Sequence, residues 1–256
     1  MDAPTGTALG GKTALVTGAS VRIGCEIARA LAFEGADVVI HYLDSGDAAE
    51  NLRRELTVSG VKAWTIRADF EIQAERDSLV ERALGMAGSL DILVNNASVF
   101  PRETLAEATF DSLVRNMAVN TWTPLVLSRD FARLARRGDI VNLIDSRINR
   151  EDPDHVGYIL SKHLLAILTR MTAVEFAPEV RVNGISPALI LPGPGMSRQE
   201  FDLLGKTVPL KRHGDPSDIV QAVMYLLSAG FVTGQIIDVD GGLHLREERN
   251  GPDSHR

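Results

Sequence analysis

The chain has 256 residues, 45% of them hydrophobic and 24% charged, a balance that suits one globular domain with a substantial core and excludes a disordered or collagen-like polymer. Its 27 Lys and Arg against 34 Asp and Glu give a formal charge of −7 without a long basic run, which argues against a nucleic-acid partner. Apolar stretches such as 222–232 fall short of the roughly 18 residues of a membrane span, and with one cysteine, Cys25, and no secretory signal at the start, a reducing, cytoplasmic setting is expected.

Short β-branched runs at 13–17, 37–42, 63–68, 91–95, 139–144, 181–185 and 235–239 alternate with helical patterns. The alternation predicts an α/β fold: one doubly wound, parallel, seven-stranded sheet of Rossmann type with helices on both faces, filling a single domain over 1–256. Flexible ends are expected at 1–11 and 246–256.

After the first strand, Thr17-Gly18-Ala19-Ser20-Val21-Arg22-Ile23-Gly24 opens a helix, and small residues there let a pyrophosphate approach backbone N–H groups at a helix N-terminus. The second strand ends in His41-Tyr42-Leu43, with no carboxylate to hold an adenosine ribose, which favours NADP over NAD. Asp44 follows, and a carboxylate turned inward there would repel a 2′-phosphate. Asp69 after the third strand reads either as an adenine-binding acid or as a turn residue.

Phe110, Leu113, Val114 and Met117 recur at helical spacing and read as a core stripe. Asp145 and Ser146 close the fifth strand, and because strand neighbours face opposite ways only one of them should meet the cofactor. Tyr158 and Lys162 lie four apart on a long helix and project from one face, where an ammonium would lower the phenol's pKa. Three prolines and two glycines over 187–195 suggest a lid, taken as 187–206 with the segment that follows. The last helix starts at Asp215-Pro216 and stops at Gly230. The histidines show no metal-ligand spacing, Cys25 reads as a packed small residue, and no metal is expected.

The set Thr17–Gly24, Asn95-Asn96-Ala97-Ser98, Asn120 and Tyr158 with Lys162, in this order from Lys12 through Gly242, resembles the short-chain dehydrogenase/reductase family. Two departures resemble its pteridine reductases. Arg22 replaces the middle glycine of the turn, and Asp145 stands thirteen residues before the tyrosine, where most members carry a serine. Phe100 after Asn95–Ser98 agrees with that subgroup, and the runs 177–183, 186–191 and 231–234 with 240–242 are similar to bacterial dihydromonapterin reductases.

The resemblance implies Asp145, Tyr158, Lys162 and Asn120 as the catalytic set, Asn120 supporting a water-linked proton relay. It implies Gly18, Ser20, Arg22, Ile23, Gly24, Tyr42, Ser45, Asp69, Phe70, Asn96, Ala97, Ser98, Tyr158, Lys162, Pro187 and Leu189 around NADPH. Arg22, Ser98, Phe100, Asp145 and Tyr158 would meet the substrate, with Phe100 stacked on a flat heterocycle and Asp145 accepting from its N–H groups or, if protonated, donating to a ring nitrogen. The activity implied is NADPH-dependent reduction of a dihydropterin of the dihydromonapterin or dihydrobiopterin type, or of dihydrofolate, by a homotetramer. Two alternatives stand beside it: a carbonyl or 3-oxoacyl reductase using Ser146 and Tyr158, and a nucleotide-binding regulator without turnover.

Overall fold

The computed structural model describes residues 8–150, 152–193 and 195–245, so the expectations for residues 1–7 and for the tail beyond Leu245 lie outside the described residues. Seven strands form one parallel sheet: β1 (Thr13–Val16), β2 (Asp37–Tyr42), β3 (Ala63–Arg67), β4 (Ile92–Asn95), β5 (Gly138–Leu143), β6 (Val180–Pro187) and β7 (Ile236–Val239), in the order β3-β2-β1-β4-β5-β6-β7. The chain begins at β1 in the middle, winds out to β3, then returns to place β4 on the other flank of β1. The expected doubly wound sheet is therefore present, with its order reversing between β1 and β4, the place where sheets of this kind leave a crevice outside the carboxyl ends of their strands.

The central strands β1 and β4 are apolar nearly throughout because both faces are covered. Ala14 and Val16 point to one side and Leu15 to the other. The first side packs against α1 (Arg22–Phe33), α2 (Gly46–Val58) and α9 (Pro216–Ser228), and the second against α4 (Leu79–Ala87) and α6 (Thr123–Ala135). The short α3 (Gln73–Asp77) precedes α4. Helix α9 begins as its sequence asks: the Asp215 side chain accepts from Ser217 N–H, Asp218 reaches back to the Asp215 N–H, and Pro216 occupies the first turn.

The stripe of α5 (Phe110–Met117) does not become core as its periodicity suggested. Phe110 is 79% exposed and Val114 45%. The long α7 (Val156–Glu175) adds Leu160, Leu164, Ile167, Met171 and Val174, all exposed, while Tyr158, Lys162, Leu165 and Ala166 are buried. Amphipathic spacing identified the apolar face but not what covers it. Between α5 and α6 the helix widens into a π turn, Ala118–Trp122, which carries Asn120 inward. Among the described residues no helix is long and apolar enough to cross a membrane.

Candidate active site

The glycine turn sits over the crevice and is tied across it. Thr17 Oγ1 accepts from the N–H groups of Asn96 and Ala97, and Asn96 Nδ2 donates to the carbonyls of Thr17 and Gly18 at 2.9 and 3.0 Å. Gly18 adopts φ +60°, and a Cβ added to Gly24 would lie 2.3 Å from the Gly18 carbonyl oxygen, so neither position accepts a side chain without rearrangement. Helix α1 opens next to them with no side-chain cap and no acid in its first turn, leaving N–H groups and the positive end of the dipole for an anion. Arg22 holds φ +57° where a glycine would be at ease, and its guanidinium donates to the Pro192 carbonyl at 3.1 Å. Ser20 and Gly24 are buried, and Ile23 is half-buried against the core.

His41 proves to be a residue of this turn, although sequence reasoning used it only as part of a motif. Its Nδ1 accepts from the Gly18 N–H at 3.0 Å and its Nε2 lies 3.0 Å from the Ala68 carbonyl, while the ring stacks on Phe70 at 4.4 Å and 5°. Burial holds this imidazole down at a pKa of about 4. The flanking candidates are more modestly placed. The Tyr42 ring packs on Gly46, Ser45 precedes α2 without capping it by its side chain, and Asp44 is exposed. Asp69 Oδ1 accepts from the Glu71 N–H, the geometry of a turn residue. These groups form a cradle suited to a dinucleotide: glycines where a Cβ would not fit, an uncapped helix start, and no carboxylate at the strand end.

At the end of β4 the four asparagine-run residues divide. Asn95 turns into the interior and donates to Asn142 Oδ1 at 2.8 Å, whereas Asn96 and Ala97 face the turn. Ser98 is exposed and its Oγ donates to Asn120 Oδ1. Asn120 itself is fully buried; it accepts from the Val99 N–H at 2.9 Å and donates to the Val99 carbonyl and to Ser161 Oγ. Its side chain therefore pins the loop after β4 to α7.

Tyr158 and Lys162 come to the crevice as their spacing required. The Tyr158 hydroxyl donates to Asp145 Oδ2 at 2.7 Å, and Asp145 Oδ1 accepts from the Arg147 N–H at 2.8 Å, capping a short 3-10 turn, Ser146–Asn149. Ser146 is 2% exposed and its Oγ has no hydrogen-bond partner. The position argument thus selected the side chain that meets the tyrosine.

One expectation is reversed. Burial and the Asp145 carboxylate push the Tyr158 phenol well above its usual range. The Lys162 ammonium instead donates to the Leu143 carbonyl at 2.7 Å and stands 5.6 Å from the Tyr158 ring, its own pKa pushed down by burial to about 8. Burial of the phenol, and then a carboxylate at hydrogen-bond distance, outweigh a buried cation 5.6 Å from the ring.

Phe100 meets the Tyr158 ring edge-on at 4.5 Å, but His155 stacks on it at 4.1 Å and 12°, and the Arg147 guanidinium lies over it at 4.6 Å. Asp152 joins the two, 3.0 Å from His155 Nδ1 and 3.5 Å from Arg147 Nη1. Arg147, Asp152 and His155 carry no motif of their own in the sequence; only their closeness to Asp145 and Tyr158 could have drawn attention to them. On the opposite rim, Pro187 ends β6 and the Leu189 carbonyl accepts from the Gly214 N–H. The segment read as a lid is partly regular: α8 (Arg198–Gly205) starts with a Ser197/Glu200 capping box and buries Phe201.

Comparison with known proteins agrees with this geometry. The family model described as Enoyl-(Acyl carrier protein) reductase matches residues 18–244. An uncharacterised oxidoreductase of Methylorubrum extorquens is 35% identical over 245 residues, 92% of this chain and 98% of that one. A 3-oxoacyl-[acyl-carrier-protein] reductase, FabG, of Staphylococcus epidermidis is 31% identical over 91% of this chain and 99% of its own. Among solved structures, FolM alternative dihydrofolate reductase 1 of Brucella suis in complex with NADP superimposes with a TM-score of 0.90 at 34% identity, covering 94% of this chain and 98% of that one. Its counterpart from Brucella canis, complexed with NADP, gives 0.89 at 33% over the same shares.

Proposed function

The chain belongs to the short-chain dehydrogenase/reductase family, and from that footing we propose that it is an NADPH-dependent reductase of a dihydropterin. Substrates of the dihydromonapterin or dihydrobiopterin type, or dihydrofolate, would be taken to the tetrahydro form. The observation that carries this reading is the Tyr158–Asp145 pair: a carboxylate occupies the place beside the phenol, and the neighbouring Ser146 hydroxyl is buried. An acceptor there suits the amino and ring N–H groups of a pterin and repels a bare carbonyl oxygen. The similarity to the two Brucella FolM structures, each bound to NADP, supports both the substrate class and the cofactor.

NADPH, when bound, supplies the hydride. Gly18, Gly24 and the uncapped start of α1 would admit its pyrophosphate, with Arg22 able to pair with a phosphate; Ser20, Ile23, Tyr42, Ser45, Asp69, Phe70, Asn96, Ala97, Ser98, Pro187 and Leu189 stay in the proposed cofactor shell. Tyr158 holds a proton at its hydroxyl, directed at Asp145 and close to where a substrate ring would lie. Asp145, held by the Arg147 N–H, orients the pterin; Lys162 carries the positive charge behind the tyrosine, and Asn120 fixes the loop bearing Ser98 and Phe100. A cytoplasmic homotetramer belongs to the same proposal, supported by the exposed apolar strip of α5 and α7.

The test is NADPH and NADH oxidation with dihydromonapterin, dihydrobiopterin and dihydrofolate against simple ketones and 3-oxoacyl thioesters. Turnover of pterins with NADPH is expected. Turnover of carbonyl substrates alone would favour the second reading, a carbonyl or 3-oxoacyl reductase, which the similarity to FabG supports; cofactor binding with no turnover at all would favour a regulator.

A further inference from the structure

The glycine turn presents its first amide not to the crevice but to an imidazole. Gly18 N–H points at His41 Nδ1 over 3.0 Å, and the far side of the same ring meets the Ala68 carbonyl at 3.0 Å. A backbone N–H can only donate and a carbonyl can only accept, so the two partners fix the tautomer: Nδ1 bare, Nε2 protonated. His41 is 2% exposed and stacks nearly parallel on Phe70, which follows β3 on the adenosine side of the proposed site.

We propose that His41 is a positioning residue for dinucleotide binding, an imidazole spacer that holds the glycine turn at the height set by the end of β3. Resting on the cofactor reading above, this inference deepens it. With the Gly18 N–H committed to His41, anion recognition falls to the uncapped start of α1 and to Arg22. The pyrophosphate and adenine sides of the cradle are also mechanically joined, because one ring touches the turn, the Ala68 carbonyl and Phe70.

Two measurements on the full chain test this. Nitrogen-15 NMR of the wild type at pH 7 should show His41 with Nδ1 unprotonated and Nε2 protonated. NADPH titration should then find His41→Asn, whose side-chain oxygen can still accept from Gly18 but which gives up the Ala68 contact and the stack on Phe70, weakened about threefold or more and less than His41→Phe. His41→Phe keeps a stacking ring but leaves the Gly18 N–H and the buried Ala68 carbonyl without their partner, and should bind about tenfold or more weakly. An Nδ1-protonated tautomer, or His41→Phe binding like wild type, overturns the role of His41 alone. If His41→Phe does not fold, the tautomer and the His41→Asn affinity decide, and a His41→Asn protein that binds NADPH as wild type does overturns the role. A wild type that binds neither NADPH nor NADH sinks the cofactor reading and this role with it, which distinguishes the two failures.

Discussion

Asp145 takes the phenolic hydrogen of Tyr158 at 2.7 Å and the backbone hydrogen of Arg147 at 2.8 Å, one on each carboxylate oxygen. Its position is therefore fixed by the fold from behind and by the proton-bearing residue from in front. Replacing it with serine restores a neutral donor. Asp145→Ser should lower pterin turnover by about a hundredfold or more, since the proposed site would exchange a charged, two-oxygen acceptor for a single neutral hydroxyl. NADPH affinity should stay within about twofold. Unchanged pterin rates would remove the carboxylate from substrate recognition.

Tyr158→Phe removes the hydroxyl that donates to Asp145. A drop of roughly 10²–10⁴ in kcat is expected from loss of a positioned proton donor. Fluorescence titration with NADPH should show binding retained, because the aromatic ring that meets Phe100 is preserved.

Gly24→Ala places a methyl carbon 2.3 Å from the Gly18 carbonyl oxygen and 2.5 Å from Asn96 Nδ2. The turn must open, at a cost of about 1–3 kcal/mol. Urea unfolding should report that loss together with weakened NADPH binding; an unaltered midpoint would contradict the close approach.

His41 makes stability depend on pH in a defined window. The folded pKa of about 4 lies below the ordinary 6.5, so between these values the unfolded chain takes up a proton that the folded one refuses. Stability due to this group is full above pH 6.5, falls as pH drops toward 4 and then levels, with a total of roughly 3 kcal/mol. Unfolding curves of wild type and His41→Asn between pH 7 and about 4.5 should converge by part of that amount.

Lys162 works in the alkaline range. Burial lowers its pKa from 10.5 to about 8, so the folded state resists protonation there and wild-type stability gains as pH rises from 8 to 10.5. Lys162→Met should lose that gain and keep stability at pH 7 within about 1 kcal/mol of wild type, since a buried charge is replaced by apolar volume. Turnover should fall sharply in the same variant, separating what the lysine does for chemistry from what it does for folding.

The sheet was legible in the sequence because both-face burial leaves strands such as β1 and β4 nearly all apolar, and Asp215 starts α9 by ordinary capping chemistry, although the helix ends at Ser228 with Ala229 as its C-cap, ahead of Gly230. Asp145 was legible through its distance along the chain from Tyr158; the alternation of strand neighbours does not apply, because β5 ends at Leu143 and Ser146 is buried at the start of the 3-10 turn that Asp145 caps. What escaped depended on through-space distances. The direction of the Tyr158 shift depends on the burial of the phenol and on a carboxylate nearer to it than the ammonium, and the ring of groups around Phe100 joins residues from three separate segments. The stripe of α5 misled for a different reason: periodicity reports an apolar face equally well whether the fold covers it or leaves it bare.

Helix α7 carries Tyr158 and Lys162 on its buried flank and Leu160, Leu164, Ile167, Met171 and Val174 on its open one. Docking a second copy on that open flank would clamp the rod that aims the proton donor. Specific activity would then track protein concentration, and dilution alone could loosen catalysis without touching any residue in the crevice.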